Sequence, residues 1–127
     1  MDSIGNRIER PWGWFESLGS GQGPGNEEGY LVKRLLIRSG ARISLQRHRH
    51  RCEHWVVVAG NGSLQVADTN LEARAGTTVF IPVGAIHRAS AGSQDLLIVE
   101  VQRGIELRED DIERLADDFG RMPSDKI

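Results

Sequence analysis

The sequence predicts an all-β fold, a barrel or sandwich of short strands with one short helix near the C-terminal end. Short segments rich in β-formers recur about every ten residues between Tyr30 and Gln102, with glycine, proline or asparagine between them. No helical period interrupts that series. The pattern turns helical only from Glu109 to Gly120.

Taken in order, Arg10–Glu16 is aromatic-rich, contains a proline near its start and carries two of the three tryptophans, which suits an arm or first strand covering one end of a core. Gly19–Gly25 has a loop composition, and it lacks the spacing of a phosphate-binding glycine loop between strand and helix, so it reads as a surface connection. Tyr30–Arg38 follows as a strand bounded by Gly29 and Gly40, and Ile43–His50 as the next. Trp55–Ala59 runs into Gly60-Asn61-Gly62, a turn signal that predicts a hairpin with Ser63–Ala67. Leu71–Arg74, Thr77–Ile81, His87–Ala89 and Leu96–Gln102 continue the series. In Glu109–Gly120, Ile112, Leu115, Ala116 and Phe119 fall at helical spacing, Asp110 and Glu113 can cap the start, and Gly120 can end it. Met122–Ile127 reads as a frayed tail.

The 127 residues suffice for one domain with a real core, expected over about residues 10–121, and are too few for two of ordinary size. Hydrophobic residues at 39% and charged residues at 27% fit a soluble globular chain. A net charge of −2 argues against nucleic acid as a partner. Arg47, Arg49 and Arg51 form a local basic cluster, either a solvated strand face or an attraction for a phosphorylated small molecule. A single cysteine, Cys52, excludes an internal disulfide, fits a reducing compartment and reads as packing. There is no apolar run long enough for a membrane helix, and Met1–Arg7 lacks the apolar core of a signal peptide, so the expected location is the cytoplasm, with no membrane partner.

The chemistry concentrates in Gln46–Trp55, which holds three of the four histidines, the cysteine and a carboxylate. On a strand, Gln46, His48 and His50 share one face, and Arg47, Arg49 and Arg51 the other. Glu53 breaks that parity with His48, which requires a bend near Arg51-Cys52; His54 then points away from Glu53.

The spacing from Gly40 through Gln46, His48 and Glu53 to Gly60 resembles the first cupin motif, with Gln46 standing where that motif usually has histidine. Gly76, Pro82, Gly84 and His87 match the second motif, departing from it only at Ala91, where the family has asparagine. The resemblance implies a cupin double-stranded β-helix, a jelly-roll barrel, in which Gln46, His48, Glu53 and His87 converge on one divalent metal ion. Zinc is the first expectation, with manganese, iron, nickel or cobalt as alternatives. A cupin that has kept the fold and lost the metal is the bland alternative.

Arg10-Pro11-Trp12-Gly13, Val32-Lys33-Arg34, Ser44-Leu45-Gln46, His50–Val58, Ile81–Gly84, Ile86-His87-Arg88, Glu100-Val101-Gln102 and Asp110-Asp111-Ile112 resemble, more closely, the mannose-6-phosphate isomerase domain of the type II phosphomannose isomerase family. Glutamine at the first ligand position is expected in that family. Many members also carry an N-terminal guanylyltransferase domain, and the expectation here is a single cupin domain over residues 1–127 with no nucleotidyltransferase domain. Arg47, Arg49 and Cys52 depart from the family pattern, which commonly has an uncharged residue, histidine and alanine at those positions. The resemblance implies interconversion of mannose 6-phosphate and fructose 6-phosphate, supplying mannose for nucleotide-sugar and polysaccharide synthesis. For proton transfer the candidates are His50, Lys33 and Glu100, each with a bland reading as a polar barrel-lining residue or ion-pair partner. For the phosphate they are Arg51, Arg34 and Arg88. A homodimer is expected by analogy, with the aromatic arm crossing to a partner. The competing reading is a non-catalytic sugar- or metal-binding cupin; a cupin dioxygenase is disfavoured by Gln46.

Overall fold

The computed structural model describes residues 5–25 and 28–121. Its strands are β1 (Arg7–Arg10), β2 (Gly13–Gln22), β3 (Gly29–Ile37), β4 (Leu45–Arg47), β5 (Cys52–Ala59), β6 (Asn61–Val66), β7 (Thr69–Arg74), β8 (Thr78–Ile81), β9 (His87–Ala91), β10 (Leu96–Gly104) and β11 (Glu113–Ala116). They form two antiparallel sheets, ordered β1-β2-β3-β10-β5-β8 and β11-β4-β9-β6-β7, which close on each other as a jelly-roll barrel. Among the described residues no helix is long and apolar enough to cross a membrane.

Strand alternation divides each strand into an inward and an outward row. On β3, Leu31, Lys33, Leu35 and Ile37 are buried while Tyr30 is exposed. β10 buries Leu96, Ile98, Glu100 and Gln102, and β5 buries Glu53, Trp55 and Val57. Register sets these rows side by side: Leu96 lies opposite Ile37, Ile98 opposite Leu35 and Val57, Glu100 opposite Lys33 and Trp55, and Gln102 opposite Glu53. The interior is therefore apolar at one end, where Ile43, Leu64, Ala73 and Ala89 join Ile37, Leu96 and Ile98. Toward Glu100 and Gln102 it becomes polar. Each large side chain sealed in the apolar half contributes about 1.5–3 kcal/mol, enough to hold buried charge at the other end.

Three elements differ from their sequence readings. The Gly60 turn does not make a hairpin: β5 pairs with β10 and β8, whereas β6 pairs with β7 and β9, so the chain changes sheets there. Gly60 adopts φ 95°, and a Cβ at that position would overlap the Asp95 carbonyl. The hairpin is instead β6–β7, turning at Ala67 with φ 51°. The expected loop Gly19–Gly25 is partly strand, because β2 stays paired with β3 to Gln22. The aromatic segment keeps its reading as a first strand covering the core: it folds as the β1–β2 hairpin, with Trp12 and Phe15 in the core cluster.

The third difference is the helix expected over Glu109–Gly120, which is absent. β11 takes its place, with Glu113 opposite Arg47 and Arg114 opposite Gln46, covering the edge of β4. The Glu113 carboxylate also accepts a hydrogen bond from Arg47. A helix of this length is marginal on its own, and pairing to an open edge outweighs its periodicity. The expected tail Met122–Ile127 lies outside the described residues.

Candidate metal centre

β4 is short, and the chain bends immediately after it. The Asp111 carboxylate accepts hydrogen bonds from the backbone N–H groups of Arg49 and His50, both at 2.9 Å, and so holds the bend. This bend ends strand parity earlier than the sequence implied. His48 stays buried facing the barrel, His50 turns out to solvent, and Arg51 turns in. β5 then brings Glu53 to the same interior, and β9 brings His87, which pairs across the sheet with Gln46.

His48, Glu53 and His87 converge, with one ligand atom from each lying within 4.8 Å of the others. His48 Nε2 is 3.1 Å from Glu53 Oε2, and His87 Nε2 is 3.9 Å from Glu53 Oε1. The ring orientations are set from behind. His48 Nδ1 donates to the Asp111 carbonyl at 2.6 Å and His87 Nδ1 to the Ala85 carbonyl at 2.9 Å, so both Nε2 atoms present lone pairs to the centre. His87 Nε2 is buried without a hydrogen-bond partner. The Arg51 guanidinium meets His48 Nε2 at 3.3 Å and Glu53 Oε2 at 2.8 Å, which leaves His87 Nε2 as the lone pair with no donor, and the donor set is one that Zn²⁺, Mn²⁺ or Fe²⁺ accepts. The residues fit a divalent metal. Gln46 lines the same cavity, its Oε1 accepting from the Ser44 hydroxyl at 2.9 Å.

Electrostatics sort the buried acids. Burial opposes ionisation of Glu53, but His48, Arg51 and His87 outweigh it and hold this carboxyl well below its ordinary range. Glu100 goes the other way: burial and the Glu53 charge push it up to about 7. Trp55 joins the two, its Nε1–H reaching Glu53 Oε1 at 2.9 Å and Glu100 Oε1 at 3.0 Å. Gln102 Nε2 donates to Glu100 Oε2 at 2.6 Å. Burial also lowers the His87 pKa, favouring the neutral imidazole a metal needs.

A cavity of about 130 Å³ opens over this centre, and of the residues singled out in the sequence it collects Gln46, His48, Glu53, Lys33, Glu100 and Arg51. Lys33 sits over the Phe15 ring at 4.2 Å and is ion-paired with Glu109. His50 is not brought there: it lines an outer hollow with Arg49 and Asp110. Arg51, expected on the outer face, lies inside, donating from Nε to Glu53 at 2.8 Å and from a terminal nitrogen to the Arg108 carbonyl at 3.1 Å. Arg34 and Arg88 stand away from the cavity. Arg34 is on the outward row of β3, bonded to Glu16 at 2.6 Å, and Arg88 is tied to the Ile43 carbonyl at 2.9 Å. His54 points outward, accepting from Arg103 at 3.0 Å and packing on Phe80, and Cys52 is buried.

Sequence reasoning missed Trp55, Gln102 and Asp111. Gln102 and Trp55 were available from parity, two residues beyond Glu100 and Glu53 on inward rows. Asp111 carried no such signal, because its role depends on a contact 63 residues away in the chain.

Known proteins place this geometry. The chain is similar to a solved RmlC-like cupin from Shewanella frigidimarina, with TM-score 0.67 and 20% identity over 85% of this chain and 92% of that one. The fold is that of a cupin. It is 41% identical over 115 residues to the alginate biosynthesis protein AlgA of Pseudomonas aeruginosa, covering 90% of this chain and 23% of that protein. It is 36% identical over 120 residues to a mannose-1-phosphate guanylyltransferase of Escherichia coli, covering 94% of this chain and 24% of that protein. The chain thus spans about a quarter of the length of the curated relatives it matches. With the family profile described as "Mannose-6-phosphate isomerase C-terminal" matching residues 2–117, the chain belongs to that family.

Proposed function

We propose that this chain is a metal-dependent aldose–ketose isomerase that interconverts mannose 6-phosphate and fructose 6-phosphate in the cytoplasm, feeding mannose into nucleotide-sugar and polysaccharide synthesis. Family membership supports the substrate class. The observation that carries the reading is the convergence of two buried imidazole Nε2 atoms and the Glu53 carboxylate beside a second acid, Glu100, whose pKa is about 7.

A divalent cation held by His48, Glu53 and His87, with Gln46 beside them, would supply a Lewis acid for the adjacent oxygens at C1 and C2 of the sugar. The proton work falls to Glu100. A carboxyl with a pKa of about 7 can take a proton from C2 or C1 and return it to the neighbouring carbon near neutral pH. Trp55 and Gln102 fix its two oxygens. Lys33, directly across the sheet from Glu100, is placed to stabilise the ionised form and is the next candidate for proton transfer. His50 has no access from its outer position.

Arg49, which departs from the family pattern, lies in the solvent-exposed bend with its backbone N–H on Asp111, so its side chain leaves the cavity lining unchanged. That favours an active isomerase over a non-catalytic binding cupin. Incubation of the purified protein with fructose 6-phosphate is expected to yield mannose 6-phosphate with divalent metal and none after chelation; metal-independent absence of product would leave the binding reading. Self-association into a homodimer belongs to the same proposal. Sedimentation at twice the chain mass of 14.1 kDa is the expected result.

A further inference from the structure

The mouth of the cavity carries cations that neither the metal centre nor the proton-transfer groups use. Arg10, Arg114 and Arg121 line it together. Arg114 lies opposite Gln46 on β4, and Gln46 lies opposite His87 on β9. Cross-strand partners share a face, so the three make a row, with Arg114 two strand spacings, about 10 Å, from the His87 backbone.

The Nε of Arg114 is buried without a hydrogen-bond partner. Among the described residues no carboxylate forms an ion pair with Arg114 or Arg10. The acids nearby are already taken: Asp117 is bidentate to Arg121 at 2.9 and 3.0 Å, and Glu109 is held by Lys33. Burial, and then the charge of Arg121, push the Arg114 pKa down; Asp117 opposes this and Arg10 adds to it. Arg10 lies over the Phe15 ring at 5.1 Å and spends one N–H on the Glu9 carbonyl at 3.0 Å, leaving other donors free. Crowded guanidiniums at the open end of a site, short of anions, are matched by a dianion such as a phosphate monoester, which accepts several charge-assisted hydrogen bonds at once.

We propose that Arg114 and Arg10, with Arg121 beside them, bind the phosphoryl group of the substrate while its C1–C2 end lies at His48, Glu53 and His87. This assignment rests on the isomerase reading. It replaces Arg34 and Arg88, which face away, and leaves Arg51 to the metal ligands.

The test uses the metal-loaded full chain and the variants Arg114→Gln and Arg10→Gln, with Arg74→Gln, on the opposite edge strand β7 of the same sheet, as control. Metal content and circular dichroism are checked on each. Losing one charge-assisted contact is expected to raise KM for mannose 6-phosphate about tenfold in Arg114→Gln, with kcat little changed. The inhibition constant for inorganic phosphate should rise in step. Arg10→Gln should shift both in the same direction, and Arg74→Gln neither. Unchanged phosphate inhibition in a metal-replete Arg114→Gln overturns the proposal; if that variant does not fold, Arg10→Gln on the surface hairpin decides on the same criterion. If the parent shows no isomerase activity, calorimetric titration with inorganic phosphate separates the two ideas. Heat that disappears in the arginine variants keeps the anion site and sinks the isomerase, whereas no heat in the parent sinks the anion site.

Discussion

Glu100 is the residue at which stability and chemistry pull hardest against each other. In the unfolded chain its carboxyl ionises near the ordinary 4.5, and in the folded protein near 7. Between those pH values the folded state keeps a proton that the unfolded state has released, so rising pH favours unfolding through this window. Above it, burying the charge costs roughly 3 kcal/mol. Glu100→Gln removes the ionisation, and a flipped Gln102 amide can accept the new N–H. The metal-free variant is therefore expected to be more stable than the metal-free parent at pH 8, with the gap closing toward pH 5, as read from denaturant midpoints. A gap independent of pH would show that Glu100 ionises normally in the fold. The metal ligands were legible at this scale because His48, Glu53 and His87 sit at motif spacings in the chain. Arg51 and His50 were misplaced because a two-residue period carries no information about a bend held by a distant carboxylate.

The bend is an element-scale device, and Asp111 is its key. Its carboxyl pKa is lowered: burial works against ionisation, and the Arg49 and His50 N–H groups more than offset it. The same residue's carbonyl orients His48. Asp111→Ala keeps that carbonyl but frees the bend, so the imidazole loses its fixed direction. Metal affinity, measured by competition with a chelating dye, should fall by about tenfold, the usual scale for disturbing an outer-shell partner. The sequence read residues 109–120 as a helix because Ile112, Leu115, Ala116 and Phe119 do have helical spacing. Leu115 and Phe119 are each 38% exposed in the structure, so no apolar stripe is buried there. What decides the outcome is the open edge of β4, a feature of the assembled sheet. The same error hid Arg114: on a helix it had no relation to Gln46, and on β11 it faces the cavity.

For the molecule as a whole, most strands were legible because apolar and polar residues alternate or cluster between clear turn residues. The exchange of sheets at Gly60 was not, since a glycine-rich turn looks alike whether the next strand pairs back or crosses over. The division of the barrel into an apolar half and a polar half makes stability and metal binding separable. Ile98, 1% exposed in the apolar half, should cost about 2–5 kcal/mol when changed to alanine, while the metal stoichiometry stays that of the parent. Thermal melting and elemental analysis of the same sample check both. The most direct measurement takes metal-stripped protein and adds Zn²⁺ or Mn²⁺ stepwise while following conversion of fructose 6-phosphate to mannose 6-phosphate. Activity is expected to rise from nothing and saturate at one ion per chain, and to stay absent in His87→Ala. Full activity without metal, or no product at any loading with any divalent ion, would contradict an isomerase built on His48, Glu53 and His87.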